Sequence, residues 1–286
     1  MITRFDHVLV AVQDLDHTIN HYRTRLGLDA NPGGRHTGRG THNGIVRFGL
    51  DYIELLAVYD VDEIKTAGKR VLLHDYLQTH EGGMLAYCLA TDDIDTLATH
   101  FAQVGLDAVG PFAMQRTRPD GLTLNWRLLI PDGTGYRRPW PFFIQWDLPD
   151  DERLQHEQPG HHALGATAVT GLSVVVDDFV AGKDLYSRQL GLTLVEERRL
   201  PVSNAQCVRY QLADFTIDVL APLGTGAVQE YLDGHGQGVY EVTLRVDDLT
   251  EAVRLLVERG VSIEQQADGM VRIVSDDVFG ARWVLN

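Results

Sequence analysis

Cysteine is nearly absent from this chain, because its 286 residues include only two, Cys88 and Cys207, each in an apolar run. Two distant cysteines exclude a disulfide framework and a thiolate zinc site, so we interpret both as small buried hydrophobic residues. Long apolar runs are also missing, since no stretch reaches the about 18 residues that a membrane span needs. No basic segment followed by an apolar one stands at the N-terminus, so the sequence predicts no signal peptide and a cytoplasmic location.

Positive charge is scarce as well. The chain has 25 Lys and Arg against 40 Asp and Glu, a formal net charge of −15. This balance argues against a surface for nucleic acid or for anionic membranes, both of which need clustered basic residues. Nucleophile-elbow, phosphate-loop and dinucleotide motifs are absent. The apolar content of 44% is that of a soluble globular protein, and the length suggests about two domains.

A fourfold repeat is the most informative pattern in the chain. An alternating apolar run ending in an acidic pair occurs as HVLVAVQDLD from His7, LAYCLATDDID from Leu85, GLSVVVDDF from Gly171 and VTLRVDDL from Val242. A helical stretch follows each run and ends at a glycine 12 or 13 residues beyond the helix-start aspartate. These aspartates are Asp14, Asp93, Asp178 and Asp248, and the glycines are Gly27, Gly105, Gly191 and Gly260. We predict that the aspartates cap helix N-termini and that the glycines form left-handed C-caps.

Each repeat therefore reads strand, helix and then two or three strands, which predicts an α+β chain of four βαβββ modules. The segment Asp147–Thr167 is polar, contains two prolines and has no apolar periodicity, so we expect a solvated linker there. Its histidines, His156, His161 and His162, could suggest a metal site. We interpret them instead as linker residues, because no carboxylate or thiol partner lies at a defined strand position.

The βαβββ unit resembles the module of the vicinal oxygen chelate superfamily, which includes glyoxalases, bleomycin-resistance proteins and extradiol dioxygenases. The opening DHVLVAVQDLDHTINHYRTRLGL and the strand YIELLAV look most like its glyoxalase-like domain branch. The resemblance covers nearly the whole chain and implies two paired-module domains with curled, cup-shaped mixed sheets. It places an N-terminal domain at 1–147, with modules 1–60 and 84–147, and a C-terminal domain at 168–286, with modules 168–222 and 238–286.

In that superfamily a divalent metal is held in a cup by residues of the first and last strands of the modules. The resemblance implies His7 and Glu54 as ligands here. An imidazole and a carboxylate suit Zn, Fe, Mn, Ni or Co. Glu54 also interrupts an apolar strand, where a cation would offset the cost of a buried charge. We take His42, in the glycine-rich segment PGGRHTGRGTHNG, as the candidate third ligand.

Several polar and aromatic residues are candidates for binding a substrate. The arginines of the glycine-rich segment could hold an anion, and Trp140 could form an apolar wall. The alternative interpretations are solvated loop charge for the arginines and a module interface for the aromatic stripe around Trp140. The residues predicted to contact a substrate are Arg35, Arg39, Asn43, Trp140 and Gln145.

The chain departs from the superfamily pattern at other ligand positions. The module-two counterpart of His7 is Ala86, which cannot bind a metal, and that of Glu54 is Gln145, a weak neutral ligand. The C-terminal half lacks both histidines that extradiol dioxygenases use there, so that activity is not expected in it. Whether the C-terminal cup, with Asp218 and Glu241, is functional stays open at this point.

Two functions follow from these residues. The first is a divalent-metal-dependent enzyme acting on a small oxygenated organic molecule, of the lyase, isomerase or dioxygenase type, with Glu54 as the catalytic residue and either Glu54 or a metal-bound water as the base. The alternative is a metal-free small-molecule binding protein, of the drug-sequestering or sensor type, which uses the aromatic cup. In both cases the expected partner is a small molecule, and the chain is expected to be a monomer or a homodimer.

Overall fold

A computed structural model describes residues 1–67, 71–117, 121–266 and 268–286. The described residues form two eight-stranded mixed sheets. The strands of the first sheet are β1 (Ile2–Val12), β2 (Ala30–His36), β3 (Thr41–Arg47), β4 (Tyr52–Val58), β5 (Gly82–Thr91), β6 (Ala108–Thr117), β7 (Thr123–Pro131) and β8 (Phe142–Trp146). Those of the second are β9 (Ala166–Val175), β10 (Thr193–Leu200), β11 (Ala205–Leu212), β12 (Phe215–Pro222), β13 (Gly238–Val246), β14 (Ile263–Gln265), β15 (Val271–Ile273) and β16 (Trp283–Leu285).

The two sheets have the same topology. Their strand orders are β2-β3-β4-β1-β5-β8-β7-β6 and β10-β11-β12-β9-β13-β16-β15-β14. In each repeat the first and last strands are parallel neighbours, as in β1 with β4 and β9 with β12. The other strand pairs within a repeat are antiparallel. This order confirms the predicted α+β class with four βαβββ modules.

Helices connect the strands within and between the modules. The described α-helices are α1 (Leu15–His21), α2 (Val61–Ala67), α3 (Val71–Thr79), α4 (Ile94–Val104), α5 (Asp150–His156), α6 (Phe179–Asp184), α7 (Ala227–His235) and α8 (Leu249–Glu258). The helices α1 and α6 continue as π-helical turns over Tyr22–Leu26 and Leu185–Gln189, and a 3-10 turn spans Ser275–Val278. Among the described residues, no helix has the length and apolarity to cross a membrane.

The helix ends confirm the capping predicted from the repeat. Backbone N–H groups of the first turns donate to the side chains of the four predicted aspartates at 2.9 to 3.1 Å. The four predicted glycines are left-handed, with φ between 69° and 75°. The acidic repeat is therefore explained by helix geometry, because a carboxylate satisfies N–H groups that have no partner within the helix.

The described chain divides into two compact units that are each assembled from distant segments. The first unit comprises residues 1–6, 86–148 and 170–241, and the second comprises 7–85, 149–169 and 242–286. In the core of the second unit, the indole of Trp283 donates to the Tyr22 hydroxyl at 3.1 Å, and both residues are fully buried. The first unit buries a hydrogen-bonded pair of phenols, Tyr87 and Tyr186. The domain ranges 1–147 and 168–286 stay a prediction.

The linker segment differs in part from its prediction, because two of its charged side chains are buried against module one, although most of the segment is exposed. Residues 150–156 form α5, and Arg153 and Glu157 are 0% and 3% exposed. Arg153 donates to Glu157 at 2.7 and 3.0 Å, and Arg47 of β3 donates to the same carboxylate at 2.9 Å. The polar sequence is explained by this ion pair, since buried charges occur in proteins where they are paired.

Candidate functional site

Three strands of module one place polar side chains on one face of the first sheet. His7 lies opposite Tyr52 in the pairing of β1 with β4, and Glu54 lies opposite Ile45 in the pairing of β3 with β4. Because residues directly opposite each other share a face and alternate residues along a strand do too, His7, Glu54 and Asn43 project to the same side. All of them belong to the second unit.

The carboxylate of Glu54 is the centre of this group. It is buried, at 8% exposure, and its Oε1 accepts a hydrogen bond from the Asn43 side-chain amide at 2.7 Å. The Nε2 atom of His7 lies 3.6 Å from Oε2 of Glu54. The Nε2 atom of His36 lies 3.8 Å from Oε1 and 3.5 Å from the Asn43 amide nitrogen. Two imidazoles therefore flank one buried carboxylate.

His36 joins this group although the sequence pointed to His42. The pairing of β2 with β3 places His36 opposite Thr41, and Thr41 shares a face with Asn43 two residues along the strand. The register shifts between Pro32 and Gly34, so the phase of β2 cannot be counted from its sequence alone. A bond of 2.9 Å between Nδ1 of His36 and the Thr41 hydroxyl orients Nε2 toward Glu54.

The structure does not bring His42 to this group. Its neighbours in β3 are Thr41 and Asn43, so strand alternation turns its side chain to the opposite face. There its ring meets Tyr59 edge to face, with centroids 5.3 Å apart. Partial burial lowers its pKa, and the charges of Asp14 and Asp16 oppose that shift. The His42 side chain therefore lies on the face of the sheet opposite to that of Glu54.

The donor set of the group fits a divalent ion. Two imidazole nitrogens and a carboxylate are a common set for first-row transition metals and zinc. Donors about 2.0–2.1 Å from an ion at tetrahedral angles are about 3.4 Å apart, so separations of 3.6 and 3.8 Å require only small inward movement. In addition, Oδ1 of Asn43 is buried and accepts no hydrogen bond from any of the described residues. A buried acceptor without a donor is suited to a cation or to a ligand hydroxyl.

The two predicted substrate arginines lie elsewhere in the β2–β3 hairpin. Arg35 donates to Glu63 at 2.9 Å, and its guanidinium lies 4.3 Å from the centre of the Tyr59 ring. Arg35 pairs with His42 in the sheet and so shares its face. Arg39 lies in the turn that follows β2 and donates its backbone N–H to the His36 carbonyl at 3.0 Å. The hairpin thus brings Asn43 to Glu54, whereas Arg35 serves an ion pair on the other face.

Gln145 and Trp140 belong to the first unit and have structural partners there. The side-chain carbonyl of Gln145 accepts from the Ile94 backbone N–H at 3.0 Å and from Arg127 at 2.9 Å, and its amide donates to the Asp92 carbonyl at 2.8 Å. The Trp140 indole donates to the Thr134 carbonyl at 2.9 Å. Gln145 therefore joins β8 to β7 and to the start of α4.

The module-three counterpart of Glu54 is held in an ion pair. Arg209, which occupies the sheet position opposite Asp218, donates two hydrogen bonds of 2.7 Å to that carboxylate. Arg198 adds a third at 3.2 Å. Gly171 lies at the position that His7 has in module one, since it pairs with Thr216 as His7 pairs with Tyr52. The carboxylate of Asp218 is therefore flanked by two guanidiniums, which cannot bind a metal.

Family models match most of the chain. Residues 5–190 match the model described as a glyoxalase-like domain. Residues 172–273 match the model of the glyoxalase, bleomycin resistance protein and dioxygenase superfamily. A comparison with curated proteins gives no match.

Solved structures share the fold at low identity. A hypothetical protein from Staphylococcus aureus superimposes with a TM-score of 0.70 at 19% identity, covering 99% of this chain and 98% of that one. A triple mutant of 4-hydroxymandelate synthase from Streptomyces coelicolor gives 0.68 at 13% identity, covering 99% and 92%. Methylmalonyl-CoA epimerase from Mycobacterium tuberculosis matches 42% of this chain and 87% of its own, with a TM-score of 0.39 at 22% identity. The two matches that cover nearly the whole chain therefore support its fold.

Proposed function

The chain belongs to the glyoxalase-like domain family, and from this premise we propose that it is a divalent-metal-dependent enzyme acting on a small oxygenated organic molecule. The observation that carries the proposal is the buried carboxylate of Glu54 flanked by the Nε2 atoms of His7 and His36. All three ligands come from module one. This set takes the place of the ligand that module two cannot provide, since Ala86 has no donor atom.

The residues of the group have separate roles in this proposal. His7 and His36 would hold the ion through Nε2, and Asn43 fixes the orientation of the Glu54 carboxylate through Oε1. A bound divalent ion supplies Lewis-acid stabilisation of negative charge on a substrate oxygen. We assign the acceptance of a substrate proton to the carboxylate oxygen of Glu54 that does not hold the ion.

Metal content tests the proposal most simply. The protein is purified without chelator, reconstituted with Zn, Fe, Mn, Ni or Co and measured by elemental analysis. We expect about one ion per chain in the wild type, and loss of that ion in the His7→Ala/Glu54→Gln double variant and in His36→Ala. His42→Ala is the matched control, since it removes the same side chain from the opposite face of the same hairpin.

Two outcomes contradict the proposal in different ways. Absence of metal above trace after reconstitution with every one of these ions contradicts metal dependence itself. Loss of metal in His42→Ala but not in His36→Ala contradicts the choice of the third ligand.

Substrate access is tested by adding acetohydroxamate, a bidentate oxygen ligand, to the cobalt-loaded protein. We expect a shift of the visible absorption bands, and an unchanged spectrum contradicts an open coordination position.

A metal-free binding protein is the second candidate function. It is favoured by the hydrogen bond from Asn43 to Glu54, which partly satisfies the buried carboxylate without a cation. In that case the protein binds a small apolar or mixed ligand equally well before and after treatment with a chelator. A titration with acetohydroxamate before and after treatment with a chelator distinguishes the two functions, because only the enzyme proposal predicts that oxygen ligands require the metal.

A further inference from the structure

Three neighbouring side chains, His7, Tyr52 and Arg47, form a row across the sheet that begins at a candidate metal ligand. Tyr52 of β4 pairs with His7 of β1 on one side and with Arg47 of β3 on the other. The rings of His7 and Tyr52 are stacked, with centroids 4.5 Å apart and planes inclined by 15°. The guanidinium of Arg47 lies 4.7 Å from the centre of the Tyr52 ring. Tyr52 therefore contacts the imidazole of His7 and a cation through one ring.

Arg47, at the far end of the row, is itself held by the linker segment. Its guanidinium donates to Glu157 at 2.9 Å. The backbone carbonyl of Arg47 accepts from the Gly160 N–H and from Nε2 of His162, both at 2.9 Å. Glu157 is 3% exposed and also receives Arg153. Arg47 thus has contacts at both its side chain and its backbone.

We propose that Tyr52, held by Arg47, is a positioning residue that fixes the ring plane of His7 for metal binding. This inference rests on the proposed function, because it takes His7 as a ligand. A ligand imidazole binds best when its orientation is set before the ion arrives, and such supporting contacts usually come from hydrogen bonds to the second ring nitrogen. Here an aromatic stack limits rotation of the ring about its bond to Cβ.

A second arginine–tyrosine pair in the same module gives a matched control. Arg35 lies over the Tyr59 ring at 4.3 Å and is paired with a glutamate, Glu63, as Arg47 is paired with Glu157. Tyr59 contacts the ring of His42 and not that of His7. A substitution of Tyr59 therefore removes a similar interaction without touching the candidate ligands.

The test is a titration of CoCl2 into the metal-free full-length protein, followed by calorimetry and by visible absorption. We expect Tyr52→Leu to raise the Kd for Co²⁺ about 10-fold or more and to shift the absorption bands. Tyr52→Phe keeps the stack and should restore both to within about twofold of the wild type. Tyr59→Leu should leave both unchanged. A merely structural role of Tyr52 would not move the absorption bands of the bound ion.

Failure of this inference is distinguishable from failure of the proposed function. Wild-type affinity and spectrum in folded Tyr52→Leu overturn the positioning role while the metal site stands. Absence of Co²⁺ binding in the wild type overturns both. If Tyr52→Leu does not fold, Arg47→Met gives the answer. Loss of the Arg47 guanidinium from the Tyr52 ring should raise the Kd for Co²⁺ about two- to fivefold. An unchanged Kd in folded Arg47→Met then overturns the inference.

Discussion

Glu157 is predicted to be the most costly single charge to remove from the linker. The substitution Glu157→Gln leaves Arg153, which is 0% exposed, without its partner at 2.7 Å, and it also weakens the contact with Arg47. Breaking a buried pair from one side costs about 3–5 kcal/mol, because an uncompensated charge stays buried. Arg153→Met should cost less, about 1–3 kcal/mol, since Glu157 then keeps Arg47.

Urea-induced unfolding followed by circular dichroism measures these free energies. Glu152→Gln is the control, because Glu152 lies in the same helix but is exposed, and such surface changes stay within about 0.5 kcal/mol. In the Glu157→Gln/Arg153→Met double variant the cost should fall below the sum of the two single changes, since both charges leave together. A loss of less than about 1 kcal/mol in Glu157→Gln would refute the buried pairing of the linker with module one.

Three further outcomes follow from the structure. Burial lowers the pKa of His162, whose Nδ1 accepts the Asp29 N–H, so the unfolded chain takes up this proton first as the pH falls below about 6.5. The free energy of unfolding, measured by urea titration, should therefore be lower at about pH 5.5 than at about pH 7.5. This difference should be smaller in His162→Gln, and an unchanged difference contradicts the reasoning. Gly33→Ala places a Cβ in steric conflict with Oδ1 of Asn43, so it should displace that amide and weaken metal binding in a Co²⁺ titration; an unaltered Kd speaks against Asn43 as a support. Asp248→Ala removes the cap of α8 and should cost about 1 kcal/mol in thermal unfolding, whereas no change would show that the cap contributes nothing.

The repeat made the fold predictable from the sequence. The aspartates and glycines recur at fixed spacing because each module needs a cap at the start of its helix and a left-handed residue at its end. The apolar alternation of the strands then fixed the order of elements. Even the assignment of Glu54 rested on a local signal, since a carboxylate interrupts an otherwise buried strand.

The third ligand and the linker were not predictable in the same way. His36 and His42 are six residues apart and similar in their sequence surroundings. The pairing of β3 with β4 turns His42 away from Glu54, and the register shift between Pro32 and Gly34 sets the phase of β2 that brings His36 to the face of Glu54. A shift of one residue turns every side chain of a strand over. For the linker, a polar composition suggested solvent, whereas Arg153 and Glu157 are buried because they satisfy each other. Pairing between charges of this kind depends on tertiary structure and leaves no periodic pattern.

The central claim is that His7, His36 and Glu54 hold one divalent ion. Anomalous diffraction from crystals grown with ZnCl2, recorded at the zinc absorption edge, tests it most directly. The account predicts a peak about 2.0–2.2 Å from Nε2 of His7, from Nε2 of His36 and from a carboxylate oxygen of Glu54. A zinc peak bound by other residues, with none at these three, would contradict it.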